Sequence, residues 1–351
     1  MSRTGSNTGA RLVDVARKAK VSHATVAAAL SGTGGNTRIS PETRQRIQRA
    51  AAELQYRPNP HAQQLRGVRS DVIGLIIGTD NAQVNFDRMA ELERIGFQRG
   101  HRFIIGLGRA EDQQATIVKY ARDFQMRSVA GMIWLHQSPR PSVVDTASFA
   151  SLRHTVFLDR PLVEGAAAVR VDYADGIRQA VRHLVQRGRK RIGMALHTLD
   201  QDRDWTPMTD RLRGYREELS AQGFNVNEQL VWASEGPAMP SDEDIEHAVR
   251  VLVQGQQADA ILANNDIWAV RLIKALKRHG QRVPEDVAVV GFDNLSLATA
   301  CDPELTTIDQ RHKEFAIAVM DLFWEQLESK RAGVAGRVVT IQPRLVVRAS
   351  A

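Results

Sequence analysis

From Asp71 onward, short apolar runs alternate with amphipathic stretches of helical period, and this alternation most limits how the chain can fold. The runs VIGLII, RFIIGL, VAGMIWL and TVFL are separated by predicted helices at Asp87–Arg99 and Asp112–Met126 and by a short helix before TVFL. After VRVD the pattern restarts. Helices are expected at Ala174–Arg187, Arg211–Gln222, Asp242–Gln254 and Ile267–His279, between the strands RIGMAL, LVWA, AILA and VAVVGF. Strands that alternate with helices form parallel sheets covered on both faces. The extent of the pattern calls for two such sheets, hence two lobes with a cleft between them. No internal sequence repeat or low-complexity run is visible.

The first 70 residues have a different texture. They hold 12 Lys or Arg against 3 Asp or Glu, while the rest of the chain holds 35 against 37. The whole basic excess therefore sits in the first fifth of the sequence. A membrane surface or an acidic protein also attracts such a segment, but a small basic domain beside a near-neutral one reads most simply as a binder of the phosphate backbone. No apolar run reaches the roughly 18–20 residues that span a bilayer. The N-terminus MSRTGSNTGA lacks the apolar core of a secretory signal, and the single Cys301 fits a reducing compartment, so a cytoplasmic protein without membrane attachment is expected.

Three short helices are predicted in this basic segment. The first, Leu12 to Ala19, has Leu12, Val15, Ala16 and Ala19 on one face; the second is His23 to Leu30, after Ser22. The third begins at Ser40-Pro41-Glu42, where Ser40 suits the cap, Pro41 the first helical position and Glu42 the positive helix end. A Gly-rich loop, SGTGGNTR, separates the last two. Small Ala16 at the helix crossing, Lys20 in the turn, and Val21 and Val26 as pins give helix-turn-helix character, leaving Ser22, His23 and Thr25 on the outside. An ordinary helical hairpin is the alternative. The two prolines of Tyr56-Arg57-Pro58-Asn59-Pro60 end the helical region, and His61 to Arg66 reads as a connector.

These residues resemble the lac-repressor family of bacterial regulators. The resemblance rests on L-V-D-V-A, V-S-H-A-T-V, I-S-P-E-T-R-Q-R-I, E-L-Q-Y-R-P-N and A-Q-Q-L-R-G, and continues through Asn265-Asp266-x-x-Ala269, V-P-E-D-V-A-V-V-G-F-D and P-E-L-T-T-I. It implies an all-α helix-turn-helix headpiece at 1–57, a hinge at 58–69, and at 70–351 an α/β two-lobed core like a periplasmic binding protein, which also dimerises. It further implies a transcriptional regulator, most simply a repressor, that binds double-stranded operator DNA as a homodimer under control of a small-molecule effector, with a sugar or sugar derivative as the leading class. The recognition helix then lies in the major groove with His23 and Ala24 toward base edges, and Ser22 and Thr25 toward phosphate. Leu65 corresponds to the residue levered into the minor groove, with Arg66 beside it. Two departures stand out. Ala27-Ala28 replace the usual Ser-Arg, which shifts weight from base readout to the hinge and to DNA deformability. The Gly-rich loop is also longer than usual, and its Arg38 is a candidate phosphate contact or a solvated arginine.

Ligands of open parallel sheets sit beyond the carboxyl ends of the strands. Asp80, Asp159, Asn265 and Asp293 all follow predicted strands, and Arg211 opens a predicted helix. Carboxylates, an amide and a guanidinium suit a polyhydroxylated or anionic molecule. Asp80 also reads as a loop residue, Asp293 as a turn residue, and Asp266 as a helix cap. Trp134, Trp205 and Trp232 are assigned to packing. No catalytic constellation, metal-ligand spacing or phosphate loop is present, so neither an enzyme, a cofactor nor a metal is expected. A plain solute-binding protein is the rival reading. The effector, whether it induces or co-represses, and the operator are not legible.

Overall fold

A computed structural model describes residues 10–30, 39–56, 70–79, 82–108, 113–135, 154–161, 166–197, 206–234, 239–328 and 336–351. They divide into two compact units, one built of three helices and one holding two sheets.

The helical unit comprises α1 (Leu12–Ala19), α2 (His23–Leu30) and α3 (Pro41–Glu53). Its core is Val15, Ala16, Ala19, Val26, Ala29, Ile47, Ala50 and Ala51, with Leu12 and Val21 packed at the margin. Small side chains dominate, so the helices approach closely. Lys20 takes the left-handed conformation, φ 51°, that turns the chain from α1 into α2. As the sequence predicts, Ser40 caps α3 by accepting from the Thr43 amide at 3.2 Å, and Pro41 occupies the first turn.

The larger unit begins with β1 (Val72–Gly78), α4 (Ala82–Gln98), β2 (Arg102–Gly108), α5 (Gln113–Met126), β3 (Gly131–Leu135), β4 (Thr155–Leu158) and β5 (Ala167–Val171). Then follow α6 (Tyr173–Gln186), β6 (Ile192–His197), α7 (Pro207–Ala221), β7 (Val231–Ser234), α8 (Asp242–Val249), β8 (Ala260–Ala263), α9 (Asp266–Arg278), β9 (Ala288–Asp293), α10 (Leu297–Ala300) and β10 (Thr306–Asp309). The last elements are α11 (His312–Glu328), β11 (Val338–Ile341) and β12 (Arg344–Val346). One sheet has the order β11-β5-β4-β3-β1-β2 and the other β12-β10-β9-β8-β6-β7. The two orders are equivalent, a repeat of topology without a repeat of sequence. All pairings are parallel except β10 with β12.

The chain crosses between the sheets three times. It does so at Asp172, at Gln310-Arg311, and at Gln342-Pro343, because α6 packs on the second sheet and α11 on the first. The crossings are laced together: Asp172 N donates to Ile341 O at 3.0 Å, and the Gln179 amide bonds both Pro343 O (3.0 Å) and Leu345 N (2.9 Å).

Several expectations need correction. Helix α4 starts at Ala82, not Asp87. Helix α7 starts at Pro207, capped by Thr206, so Arg211 lies in its second turn rather than at its start. The predicted Asp242–Gln254 helix tightens and then widens, with a π-type turn over Arg250–Gly255. Asp266 does not cap α9; Asn265 does, its Oδ1 accepting from Trp268 N at 3.0 Å. The elements after β9 were not anticipated at all: T-T-I-D is a short strand whose alternation is too brief to register, and α11 is apolar on most faces and so weakly periodic.

Candidate DNA-binding face and inter-lobe site

In the helical unit, Ser22 Oγ accepts from Thr25 N at 3.1 Å and shares a hydrogen bond with Thr25 Oγ1 at 2.8 Å, closing the N-terminus of α2. Ser22, His23 and Ala24 are exposed and Thr25 is half-buried, while Val26 is fully buried against α1 and α3. The exposed N-terminal turn is therefore held by a buried second turn, the arrangement a groove-reading helix requires. Two arginines of α3 fix the other ends. Arg44 donates to Ala29 O (3.2 Å), and Arg46 to Ala19 O (3.0 Å), each placing a cation at a helix C-terminus. Lys18 pairs with Glu53 at 2.6 Å, a surface ion pair of small energetic weight. Arg38, Leu65 and Arg66 lie outside the described residues.

The second constellation lies where the two sheets end. Asp159 follows β4, and Asp293 is the last residue of β9; both adopt positive φ, 62° and 118°, which few residues other than Gly accept without strain. Asp159 is 3% exposed, and Tyr173 Oη donates to its Oδ2 at 3.4 Å. Burial pushes the Asp159 carboxyl up to about 7, against the opposing pull of Arg88. Arg211, 4% exposed, donates to the Asn264 carbonyl and lays its guanidinium 3.9 Å from the Phe292 ring centre and 5.3 Å from that of Tyr173. Burial lowers its pKa, while Asp293, Tyr173 and Asp159 oppose this.

Sequence reasoning missed the residue that joins the lobes. Arg88 of α4, 2% exposed, donates from Nη2 to Gln310 Oε1 at 2.7 Å, and Gln310 in turn donates through Nε2 to Asp293 Oδ1. This chain runs from one lobe, through a crossing strand, to the other. A signal existed: Val84, Arg88 and Leu92 share one buried helical face, so an arginine interrupts an apolar stripe. Starting the helix at Asp87 hid that phase. Tyr173 and Gln310 carry no comparable mark in the sequence.

The structure thus brings Asp159, Arg211 and Asp293 around Tyr173 and Phe292, and seats Asn265 beside Asn264, whose carbonyl holds Arg211. Asp266 lies behind them, its Oδ2 accepting from Leu295 N and its Oδ1 from Thr307 Oγ1; Gly291 leaves the room it needs. Asp80 and Trp205 lie outside the described residues. Trp134 is buried in β3 with its ring centre 5.9 Å from that of Phe157, and Trp232 packs 6.0 Å from Trp268. Among the described residues, no group of His, Cys, Asp or Glu is arranged to hold a metal, and no helix is long and apolar enough to cross a membrane.

A three-helix unit with a pinned recognition helix, joined in one chain to two lobes of periplasmic-binding-protein type, defines a helix-turn-helix transcriptional regulator with a ligand-binding-type core. Residues 11–59 match the bacterial regulatory proteins of the lacI family, and residues 181–351 match the periplasmic binding protein-like domain. The chain belongs to the lacI family. It is 28% identical to the HTH-type transcriptional repressor CytR of Escherichia coli strain K12, over 98% of this chain and 96% of that protein. Among solved structures, a complex of the transcriptional regulator CelR with cellobiose matches with TM-score 0.69 and 26% identity, covering 97% of this chain and all of that one. The lac repressor dimer bound to operator and the anti-inducer ONPF matches in fold, with TM-score 0.81 and 23% identity over 98% of this chain and 99% of that one.

Proposed function

We propose that this regulator is a repressor, acting as a homodimer on a double-stranded operator, whose affinity is set by a sugar-like effector seated between the lobes. The observation that carries the effector reading is a set of buried polar atoms with no hydrogen-bond partner: Asp159 Oδ1, Arg211 Nε and Arg88 Nε. Buried polar groups are nearly always bonded, so a cluster left open at the carboxyl ends of parallel strands fits a ligand site. Asp159, Arg211, Asn265 and Asp293 are the effector residues, with Asp80 added from sequence. The CelR complex with cellobiose supports a carbohydrate.

The DNA-contacting residues are Ser22, His23, Ala24, Thr25, Arg38, Leu65 and Arg66. The headpiece is taken as 1–57, the hinge as 58–69 and the effector and dimerisation core as 70–351, in a cytoplasmic protein with no catalytic role of its own. The basic charge of the first 70 residues supports this division. The test is a gel shift on genomic fragments with the full chain and with a chain starting at Ser70. The full chain retains specific fragments with log affinity falling linearly in log salt, and the truncated chain retains none. Specific retention by the truncated chain defeats the assignment, and no specific retention by either supports the rival solute-binding reading.

A further inference from the structure

Arg88 and Arg211 enter the inter-lobe site from different lobes, and each is held in the same way. Arg88 gives Nη2 to the neutral amide oxygen of Gln310 and sets its guanidinium 4.2 Å from the Phe315 ring centre. Arg211 gives Nη1 to a backbone carbonyl and rests on Phe292. Each keeps Nε unbonded. Among the described residues neither forms an ion pair with a carboxylate, although seventeen other ion pairs are present. Neutral acceptors and aromatic faces orient these cations without neutralising them.

The nearby acids do not restore the balance. Asp159 is only partly ionised near neutrality, because burial pushes it up to about 7. Asp266 is turned away to Leu295 and Thr307 and is pushed up to about 8 by burial and by Asp293. Asp210 is paired with Arg213. The buried site therefore carries a positive surplus, and an uncompensated buried charge is unstable unless something binds it. Asp159 Oδ1, open and accepting, calls for a hydroxyl beside that anion.

Resting on the reading of this cluster as the effector site, we infer that the effector is an anionic sugar, its acidic group met by Arg88 and its hydroxyls by Asp159. A planar carboxylate meets the Nε edge of a guanidinium in two parallel hydrogen bonds, and a phosphate presents the same edge-on pair of oxygens. The shared chemistry is a polyhydroxylated anion. Arg88, on the buried face of α4, is the residue that selects it.

The experiment measures binding to the full-length protein by titration calorimetry and thermal shift, at matched ionic strength. The probes are D-glucuronate, D-galacturonate, D-gluconate and glucose 6-phosphate, against D-glucose, D-galactose and inorganic phosphate. At least one acidic sugar binds tighter than its neutral counterpart by about tenfold or more, the scale of a hydrogen bond to a charged group. The carboxylate and phosphate arms tell the two sources apart. Arg88→Met closes the gap between acid and neutral sugar. Arg88→Lys, which keeps the charge and serves if the Met variant does not fold, narrows it.

Three results overturn the inference: acids and neutral sugars bind alike, no acidic probe binds, or the preference survives in both Arg88 variants. Asp159→Asn separates this failure from that of the site itself. If it weakens neutral and acidic sugars together while Arg88→Met changes nothing, the effector site stands and the anion does not. If bound probes are indifferent to both substitutions, the effector site falls too.

Discussion

Asp266 Oδ2 accepts the backbone amide of Leu295 at 2.6 Å, so the first turn of α9 is tied to the turn that follows β9. The same carboxyl takes the Thr307 hydroxyl on β10, and it is fully buried. Three segments of one lobe converge on a single acid, directly behind the effector residues Asn265 and Asp293. Burial and the neighbouring Asp293 raise its pKa to about 8.

Proton linkage follows from that shift. The folded state holds the Asp266 proton up to about pH 8, whereas the unfolded chain releases it near the model value of 3.8. Between these limits the folded state binds more protons, so this group's contribution to stability is full at low pH and is lost as pH rises toward 8. Asp266→Asn removes that slope. Denaturation at pH 5 and pH 8 will show the difference between wild type and variant moving in favour of the variant at the higher pH, by up to ~1.4 kcal/mol per pH unit. A difference independent of pH refutes the assignment.

Gly214 of α7 faces α6, where a Cβ would press into the backbone carbonyl of Ala174. Backbone cannot yield as a side-chain tip does. Gly214→Val therefore destabilises the core by about 1–3 kcal/mol, the usual cost of overpacking. Urea denaturation measures it, and an unchanged midpoint shows that the helices separate at little cost.

Arg211→Ala or Asp293→Ala deletes a charged group from the inter-lobe site and leaves the helical unit untouched. Each variant keeps its operator affinity and loses its response to effector. The shift removed is the coupling free energy, typically ~1–3 kcal/mol. Operator affinity with and without effector reads it, and a normal response from both variants moves the ligand elsewhere.

Leu65 is expected to act as a wedge in the minor groove, where unstacking is offset by better wrapping of the bent duplex. Leu65→Ser weakens specific binding and abolishes the DNA bend, while non-specific binding is nearly unchanged. Circular-permutation gel mobility measures the bend. A bend of wild-type size in the variant assigns Leu65 to packing.

Local patterns carried much of this molecule in plain sight. The cap at Ser40, the first-turn Pro41 and the apolar faces of α1 and α3 are near-neighbour effects, readable over a few residues. So was the alternation that builds two parallel sheets, because strands buried on both faces must be continuously apolar. Asp159 and Asp293 were legible for the same reason, since the position after an apolar run marks a strand's carboxyl end. Other features depend on which distant surfaces meet. Arg88 bonds Gln310 across 222 positions of sequence, and no local window contains both. Whether Asn265 or Asp266 caps α9 was undetermined locally, because both residue types cap well; Leu295 and Thr307, brought in by β9 and β10, took the Asp266 carboxyl and left the cap to Asn265. Sequence determined which segments are strands and helices and which residues fall at their ends. Only the tertiary structure decided which of those charges are buried, and beside what, because burial is a property of the surfaces that close over a residue rather than of the residue itself.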